Sequence, residues 1–405
     1  MTTMDLSNMG IKSFNDPLIK ELPQTVEKLY LYENQIESFE FSENLPKGLK
    51  ELNLSGNQIG SFKFCEGLPK GLKIISIGDN QLESFEHSEG LPRNLKKLTL
   101  GLNQISSFKH SENLPKSLKR LNLRSNRIIS FEHSENLPRN LKELALWYNQ
   151  IGSFEHSEGL PITLEKLDIG CNQLESFEHS EKLQKTLEKL HIGDNLIISF
   201  KGCENLPKGL KKLDITFNQI SSFKHSENLP RNLKELHLGG NQIGSFKHSE
   251  GLPRTLEKFD IGYNQISSFE NSENLPKALK DLHLNSNQIS SFKGCENLPK
   301  TIKDLYLTGN QISSFEHSEF LPRNLKNLYI EWNQSWSKEQ LLRYTQLEFG
   351  TPLAYIKFFQ RHQDFKYVLI EIHDNPHLER MKIELEEEER KLKEDPELFY
   401  STILV

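Results

Sequence analysis

Leu45–Gly67, LPKGLKELNLSGNQIGSFKFCEG, decides the fold, because its 23-residue pattern recurs from Leu22 to the Leu-Pro pair at Leu321 without one inserted or deleted residue. A fixed period of this length marks a solenoid, in which each repeat packs only on its neighbours. Inside the stretch, Glu51-Leu52-Asn53-Leu54-Ser55 alternates polar and apolar residues, which predicts a short strand with Leu52 and Leu54 inward. Successive strands then form one parallel sheet. About fourteen of them, spaced about 4.8 Å apart, give a concave surface on the order of 60 Å long. The Leu-Pro pair, interrupted only by Gln184, holds an extended outer segment. A repeat this short has no room for long helices, so loops and short turns are expected on the convex side.

The remaining columns of the repeat have structural roles. Asn follows every strand from Asn34 to Asn333, where its amide can pair with backbone groups that would otherwise be buried without partners. Phe recurs from Phe39 to Phe315 as a buried spine, and the Ser before it, from Ser38 to Ser314, can bond local backbone. Glu recurs from Glu43 to Glu319 with a Lys or Arg four residues later in most turns, such as Lys47, Lys70 and Arg93, which predicts a solvated ion-pair ladder. His87, His110, His133, His156, His179, His225, His248 and His317 share one convex column in which Gly202 and Asn271 also occur. Residues in a row point the same way and do not converge on a metal, so these read as turn histidines.

The pattern L-x-x-L-x-L-x-x-N-x-I, seen at Leu49, Leu52, Leu54, Asn57 and Ile59, resembles the leucine-rich repeat family over roughly three quarters of the chain. That resemblance implies an α/β solenoid: a leucine-rich repeat arc with a parallel concave sheet, a convex side of turns, and recognition of other proteins in place of catalysis. The Leu-Pro opening with Leu238-Gly239-Gly240-Asn241-Gln242-Ile243 looks most like short repeats of FNIP type and of the bacterial effector class. Some such relatives carry an F-box or a cysteine-dependent ubiquitin ligase domain. No F-box is evident before Leu22, and no Cys follows Cys295 to form a thioester.

Composition excludes other classes of partner. The net charge of −6 is small beside 50 basic and 56 acidic residues, so no general basic field draws in nucleic acid or an anionic membrane. The N-terminus lacks the apolar core of a signal peptide, and no stretch is apolar over the length of a membrane span. Cys65, Cys171, Cys203 and Cys295 lie in different repeats, which argues against disulfides and for reduced thiols in the cytoplasm. Cys65, Cys203 and Cys295 stand where most repeats have Ser and read as small fillers.

The concave positions vary most from repeat to repeat. The middle of the strands reads Asp168, His191, Asp214, His237, Asp260 and His283 over six consecutive turns, flanked two residues earlier by Lys166, Lys189, Lys212, Glu235, Lys258 and Asp281. A metal or acid–base site is one reading of such alternation. The other is a ladder that avoids stacked carboxylates, and the Lys/Glu checkerboard favours it although Lys189 departs from it. If the aspartates hold these histidines protonated, their pKa values are raised. Just after the strands stand Tyr32, Leu102, Trp147, Tyr148, Phe217, Tyr263 and Trp332, where many repeats have Gly, Ser or Asp. Aromatic anchors of this kind supply binding energy to protein interfaces.

The chain divides into an N-terminal half-repeat over residues 1–21, a solenoid over 22–336 and a helical C-terminal cap over 337–405. In the first, Leu6, Met9, Ile11 and Phe14 keep the spacing of Leu54, Asn57, Ile59 and Phe62. In the last, the run Glu386 to Glu389 reads as a solvated helix face or a dock for a basic partner. The functional expectation is a non-enzymatic, monomeric, cytoplasmic module without cofactor, metal or catalytic residue. It binds a protein partner through Trp147, Tyr148, Phe217 and Tyr263, with Asp168, His191, Asp214, His237, Asp260 and His283 alongside. The competing classes are an adaptor that delivers a bound protein to a ubiquitin ligase or other enzyme, and a purely structural solenoid.

Overall fold

A computed structural model of the chain describes residues 2–313, 316–330 and 333. The expected cap over 337–405, its Glu386–Glu389 run and Trp332 lie outside these residues.

The fifteen strands of the described residues form a single parallel sheet in strict chain order. Strand β1 (Thr2–Asp5) pairs with β2 (Val26–Tyr30), and from β3 (Glu51–Asn53) to β15 (Asn327–Tyr329) each repeat contributes three residues. The sheet is thus one strand longer than the repeat count predicts. The half-repeat before Leu22 supplies β1, in register with β2 except for an irregularity between Thr2 and Thr3. It also supplies α1 (Pro17–Lys20), where the Asp16 side chain accepts from the Leu18 amide and Pro17 fits the first turn. Among the described residues α1 is the one α-helix; the convex side is otherwise built of three-residue 3-10 turns.

The core is the superposition of the apolar columns. In the repeat around Leu187, the side chains of Leu187, Leu190, Ile192, Ile197 and Phe200 are all 1% exposed or less. Full burial of such a side chain stabilises by about 1.5–3 kcal/mol, so a repeat is held by neighbours on both sides and by little of its own. The Phe spine stacks face on face at the start, with ring centroids 6.5 Å apart for Phe14–Phe39 and 6.3 Å for Phe39–Phe62.

The Asn column performs the role its position predicts. Asn57 Nδ2 donates to Leu31 O at 2.9 Å and Leu54 O at 3.0 Å, while its Oδ1 accepts from the Ile36 amide at 2.9 Å. Each Asn therefore joins two adjacent turns. In most repeats the Ser before the Phe accepts from the amide two residues on, as Ser38 Oγ does from Glu40 at 3.3 Å. Cys65, Cys203 and Cys295 replace Ser without loss of shape. Cys65 Sγ lies 3.5 Å from His87 O, and Ser134 Oγ lies 3.3 Å from the equivalent His156 O.

On the convex side one sequence expectation changes and another gains its physical reason. Three of the lysines four residues after the Glu column bond its backbone carbonyl, not its carboxylate: Lys47 Nζ donates to Glu43 O at 2.7 Å, Lys70 Nζ to Glu66 O at 3.0 Å and Lys277 Nζ to Glu273 O at 3.3 Å. That geometry caps the carbonyl of a short turn, and no ion pair forms at this spacing among the described residues. The His column is explained by backbone conformation. His87, His110 and His133 have φ of 64°, 62° and 65°, and Gly202 and Asn271 of the same column have φ of 87° and 63°. The left-handed region penalises most side chains, and Gly, Asn and His enter it more readily than others.

Candidate functional site

A second left-handed column runs just after the strands, on the rim of the concave face. Glu33, Asp79, Leu102, Ser125, Tyr148, Cys171, Asp194, Phe217, Tyr263 and Ser286 occupy it with φ between 49° and 57°, and Gly56, Gly240 and Gly309 with φ near 70°. An L-residue here costs on the order of 1–2 kcal/mol relative to Gly. Four of its occupants are nevertheless large and open to solvent: Leu102 is 56% exposed, Tyr148 49%, Phe217 56% and Tyr263 61%. The fold itself does not call for rings at these positions.

Neighbouring repeats hold the rings of Trp147, Tyr148 and Phe217. The Trp147 and Tyr148 centroids lie 4.8 Å apart, and the Arg124 guanidinium sits 4.7 Å from the Trp147 centroid and 5.8 Å from that of Tyr148. Trp147 leans over Gly170, where an added Cβ would meet its Cδ1 at 2.9 Å. Phe217 lies over Gly240 in the same way, and a Cβ there would stand 2.4 Å from its ring. Sequence reasoning missed Arg124, Gly170 and Gly240. The signal was available, since Arg124 and Gly170 are one repeat before and after Trp147, and Gly240 is one repeat after Phe217.

The Asp/His row is in register across its six strands, with Asp168 opposite His191, Asp214 opposite His237 and Asp260 opposite His283 among its pairs. Each bridging aspartate divides its oxygens. Asp214 Oδ1 accepts from the Thr216 amide at 3.1 Å and the Thr216 hydroxyl at 2.8 Å, while Oδ2 faces His191 Nδ1 at 3.6 Å. Asp260 Oδ1 accepts from the Gly262 amide at 3.0 Å, and its Oδ2 faces His237 Nδ1 at 3.7 Å. Asn53 and Asn122 cap the amide two residues on from the same row, so the cap is a property of the position. The carboxylates are therefore already employed in the sheet. Among the described residues no three His, Cys, Asp or Glu side chains converge as a metal would require.

The charge state differs from the sequence expectation. Burial lowers the pKa of His191 and of His283, and outweighs the pull of Asp214 and Asp260 in the other direction. These two histidines are thus favoured neutral, because desolvation of the imidazolium costs more than the nearby carboxylates return. At the end of the row the chemistry turns aromatic: His283 stacks on Tyr306 at 4.0 Å, and Tyr306 on Tyr329 at 4.4 Å. Beside this stack, burial and the neighbouring Asp304 carboxyl raise the pKa of Asp281.

The expected site residues fall in three places on the face. Trp147 and Tyr148 form one cluster with Arg124. Phe217 and Tyr263 stand two repeats apart on the rim, and Asp168, His191, Asp214, His237, Asp260 and His283 run along the middle of the sheet over six successive strands.

Comparison with known proteins agrees with this architecture. A leucine-rich repeat model of two copies matches residues 24–64, and a single-repeat model matches residues 230–245. No curated protein matches the chain. Among solved structures, a leucine-rich repeat protein of Leptospira interrogans is similar at 28% identity and a TM-score of 0.63, over 86% of this chain and 94% of that one. An internalin from Listeria monocytogenes matches at 22% identity and a TM-score of 0.54, over 82% and 91% of the two chains. A chain in a complex of Latrophilin 3, Unc5D and FLRT2 matches at 23% and 0.52, over 70% and 88%. The last two likenesses are of fold alone. With the period, the Asn ladder and the parallel sheet, these matches show a leucine-rich repeat fold, whose repeats the family's models recognise at residues 24–64 and 230–245.

Proposed function

We propose that the protein is a non-enzymatic module that holds a protein partner on its concave face, anchored by Trp147, Tyr148, Phe217 and Tyr263, with the Asp/His row alongside. The observation that carries this reading is the set of exposed large side chains at left-handed positions, where Gly, Ser and Asp serve elsewhere in the same column. They cost backbone strain and bury little of themselves, so stability does not account for them; strained residues of this kind gather at functional sites. Rigid aromatic rings seated over glycines suit a protein interface, where a few such anchors dominate the energy. Leucine-rich repeat proteins commonly serve in this way. The outer columns are nearly uniform while the concave positions change chemically with each repeat, as an irregular partner surface requires.

The free thiols support a reducing, cytoplasmic setting for this work, and no helix of the described residues is long and apolar enough to cross a membrane. Affinity capture from cells tests the placement. Wild type is compared with Trp147→Ser/Tyr148→Ser and Phe217→Ser/Tyr263→Ser, and loss of a shared partner is the expected result. Equal recovery of every partner by both variants removes the site from this face. Absence of any partner, together with self-association of the pure chain at micromolar concentration, replaces the reading with a structural array.

A further inference from the structure

Lysines occupy the entry to successive strands at Lys50, Lys73, Lys96, Lys119 and Lys142, then the column turns to Glu165 and Glu188 before Lys211, Lys234, Glu257 and Lys280. Where Glu is interleaved, the column pairs across repeats: Lys142 with Glu165, Lys211 with Glu188, and Lys234 and Lys280 with Glu257. Lys73, Lys96 and Lys119 have only lysines beside them in this column, and Lys50, which follows Glu27, makes no ion pair with it among the described residues. Beside them in register are Lys97 and Arg120. None of these six makes an ion pair with a carboxylate among the described residues, and all but the half-buried Lys97 are exposed. Like charges stacked about 4.8 Å apart repel, so the sheet holds here a strip of charge that its own residues offset elsewhere. Arg124, on the same repeat as Arg120, carries the positive charge across the face to Trp147 and Tyr148.

We propose that this strip receives a short acidic segment of the partner protein, laid across the repeats next to the Trp147–Tyr148 anchor; the proposal rests on the concave-face reading above and names the chemistry of its partner. The occupant follows from length and boundary. From Lys50 to Lys119 the strip spans three strand spacings, about 14 Å, which is four or five residues of extended peptide. One end is closed by Glu51, paired with Lys28 at 2.9 Å, and the other by Glu143 and Glu165. A polynucleotide needs a basic groove that continues along its backbone, and on this face it would run onto Asp168, Asp214 and Asp260. A peptide with two or three carboxylates ends where the charge ends.

The test uses the full chain and fluorescein-labelled octaglutamate, with binding followed by anisotropy at low salt and at about 150 mM salt. Wild type should bind in a salt-sensitive manner. Lys73→Gln/Lys96→Gln/Lys119→Gln should weaken binding about tenfold, at roughly half a kcal/mol per exposed charge. The control Lys211→Gln/Lys234→Gln/Lys280→Gln, whose lysines are already paired, should bind as wild type does. No binding by wild type, equal loss in both variants, or tighter binding of an oligo(dT) of about fifteen nucleotides overturns the proposal, the last in favour of nucleic acid. Tighter octaglutamate binding after neutralisation of Glu386–Glu389 also overturns it, because the chain's own acidic run would then be the occupant. Partner capture separates the two readings. If Trp147→Ser/Tyr148→Ser loses a partner that the strip variant retains, the anchor stands and the acidic segment fails; if neither variant loses one, the anchor itself is wrong.

Discussion

Replacement of Asn195 by Ala should destabilise the array by about 2–4 kcal/mol, and the bonds around it show where that figure comes from. Asn195 Nδ2 donates to Ile169 O at 3.1 Å, Ile192 O at 3.0 Å and Gly193 O at 3.1 Å. Each of those carbonyls keeps another donor: Asn172 Nδ2 on Ile169 O at 3.0 Å, Asn218 Nδ2 on Ile192 O at 3.0 Å, and the Cys171 amide on Gly193 O at 2.9 Å. Their loss is worth roughly 1 kcal/mol together. The Leu174 amide is different, since Asn195 Oδ1 at 2.9 Å is the acceptor it has, and an orphaned buried donor costs about 1–3 kcal/mol more. Urea denaturation measures the sum, and hydrogen exchange at Leu174 reports the orphaned group. The exposed Gln219→Ala serves as control, expected within about 0.5 kcal/mol of wild type. A second arm, Asn195→Asp, keeps the acceptor for Leu174 but aims an oxygen at three carbonyls. Its folded pKa is then raised, so its stability is present at low pH and is lost as pH climbs through that value. An Asn195→Ala midpoint equal to that of the control refutes the ladder as a source of stability.

Other outcomes follow from the same geometry. Because burial lowers the pKa of His191 and His283, their contribution to stability is full above the unfolded value near 6.5 and falls as pH drops through that range. His191→Gln/His283→Gln should therefore flatten the loss of thermal stability between about pH 7.5 and pH 5; an unchanged slope rejects neutral histidines in the row. Burial pushes the thiols of Cys65 and Cys203 up to about 12, whereas Cys171 is partly open, so a thiol reagent should label Cys171 first and the others only on unfolding. Native labelling of Cys65 at the rate of Cys171 contradicts the packing of the 3-10 turns. Gly240→Ala should displace the Phe217 ring and lower capture of a partner that depends on Phe217, with helical and strand content unchanged by circular dichroism.

What the sequence discloses here depends on whether a feature repeats. The Asn ladder, the Phe spine and the parallel sheet are legible because each is a column, and one repeat explains all the others. The extra strand Thr2–Asp5 was not, since it lies before the first Leu-Pro and pairs by backbone bonds that require no particular side chain. The convex lysines were assigned the wrong partner for a related reason: spacing places Lys47 beside Glu43 but does not say that the turn leaves the Glu43 carbonyl pointing at it. For the histidines, charge was read and burial was not, and burial decides the direction.

The candidate site is legible only as departures from the columns, and those departures gain meaning from backbone conformation. Tyr148 and Phe217 look in the sequence like ordinary variation at a loose position. Their φ of 55° and 52° makes the position a demanding one, at which Gly is the residue of least cost and a ring the most conspicuous exception. The same logic separates the two halves of the lysine column. Lys211 and Lys234 are accounted for by the glutamates beside them, while Lys73 and Lys96 lack such a neighbour within the sheet. Strain without structural return on the rim and charge without local compensation at the strand entry fall on adjoining repeats. A partner surface that is apolar where it meets Trp147 and acidic where it meets Lys96 and Lys119 would relieve both at once.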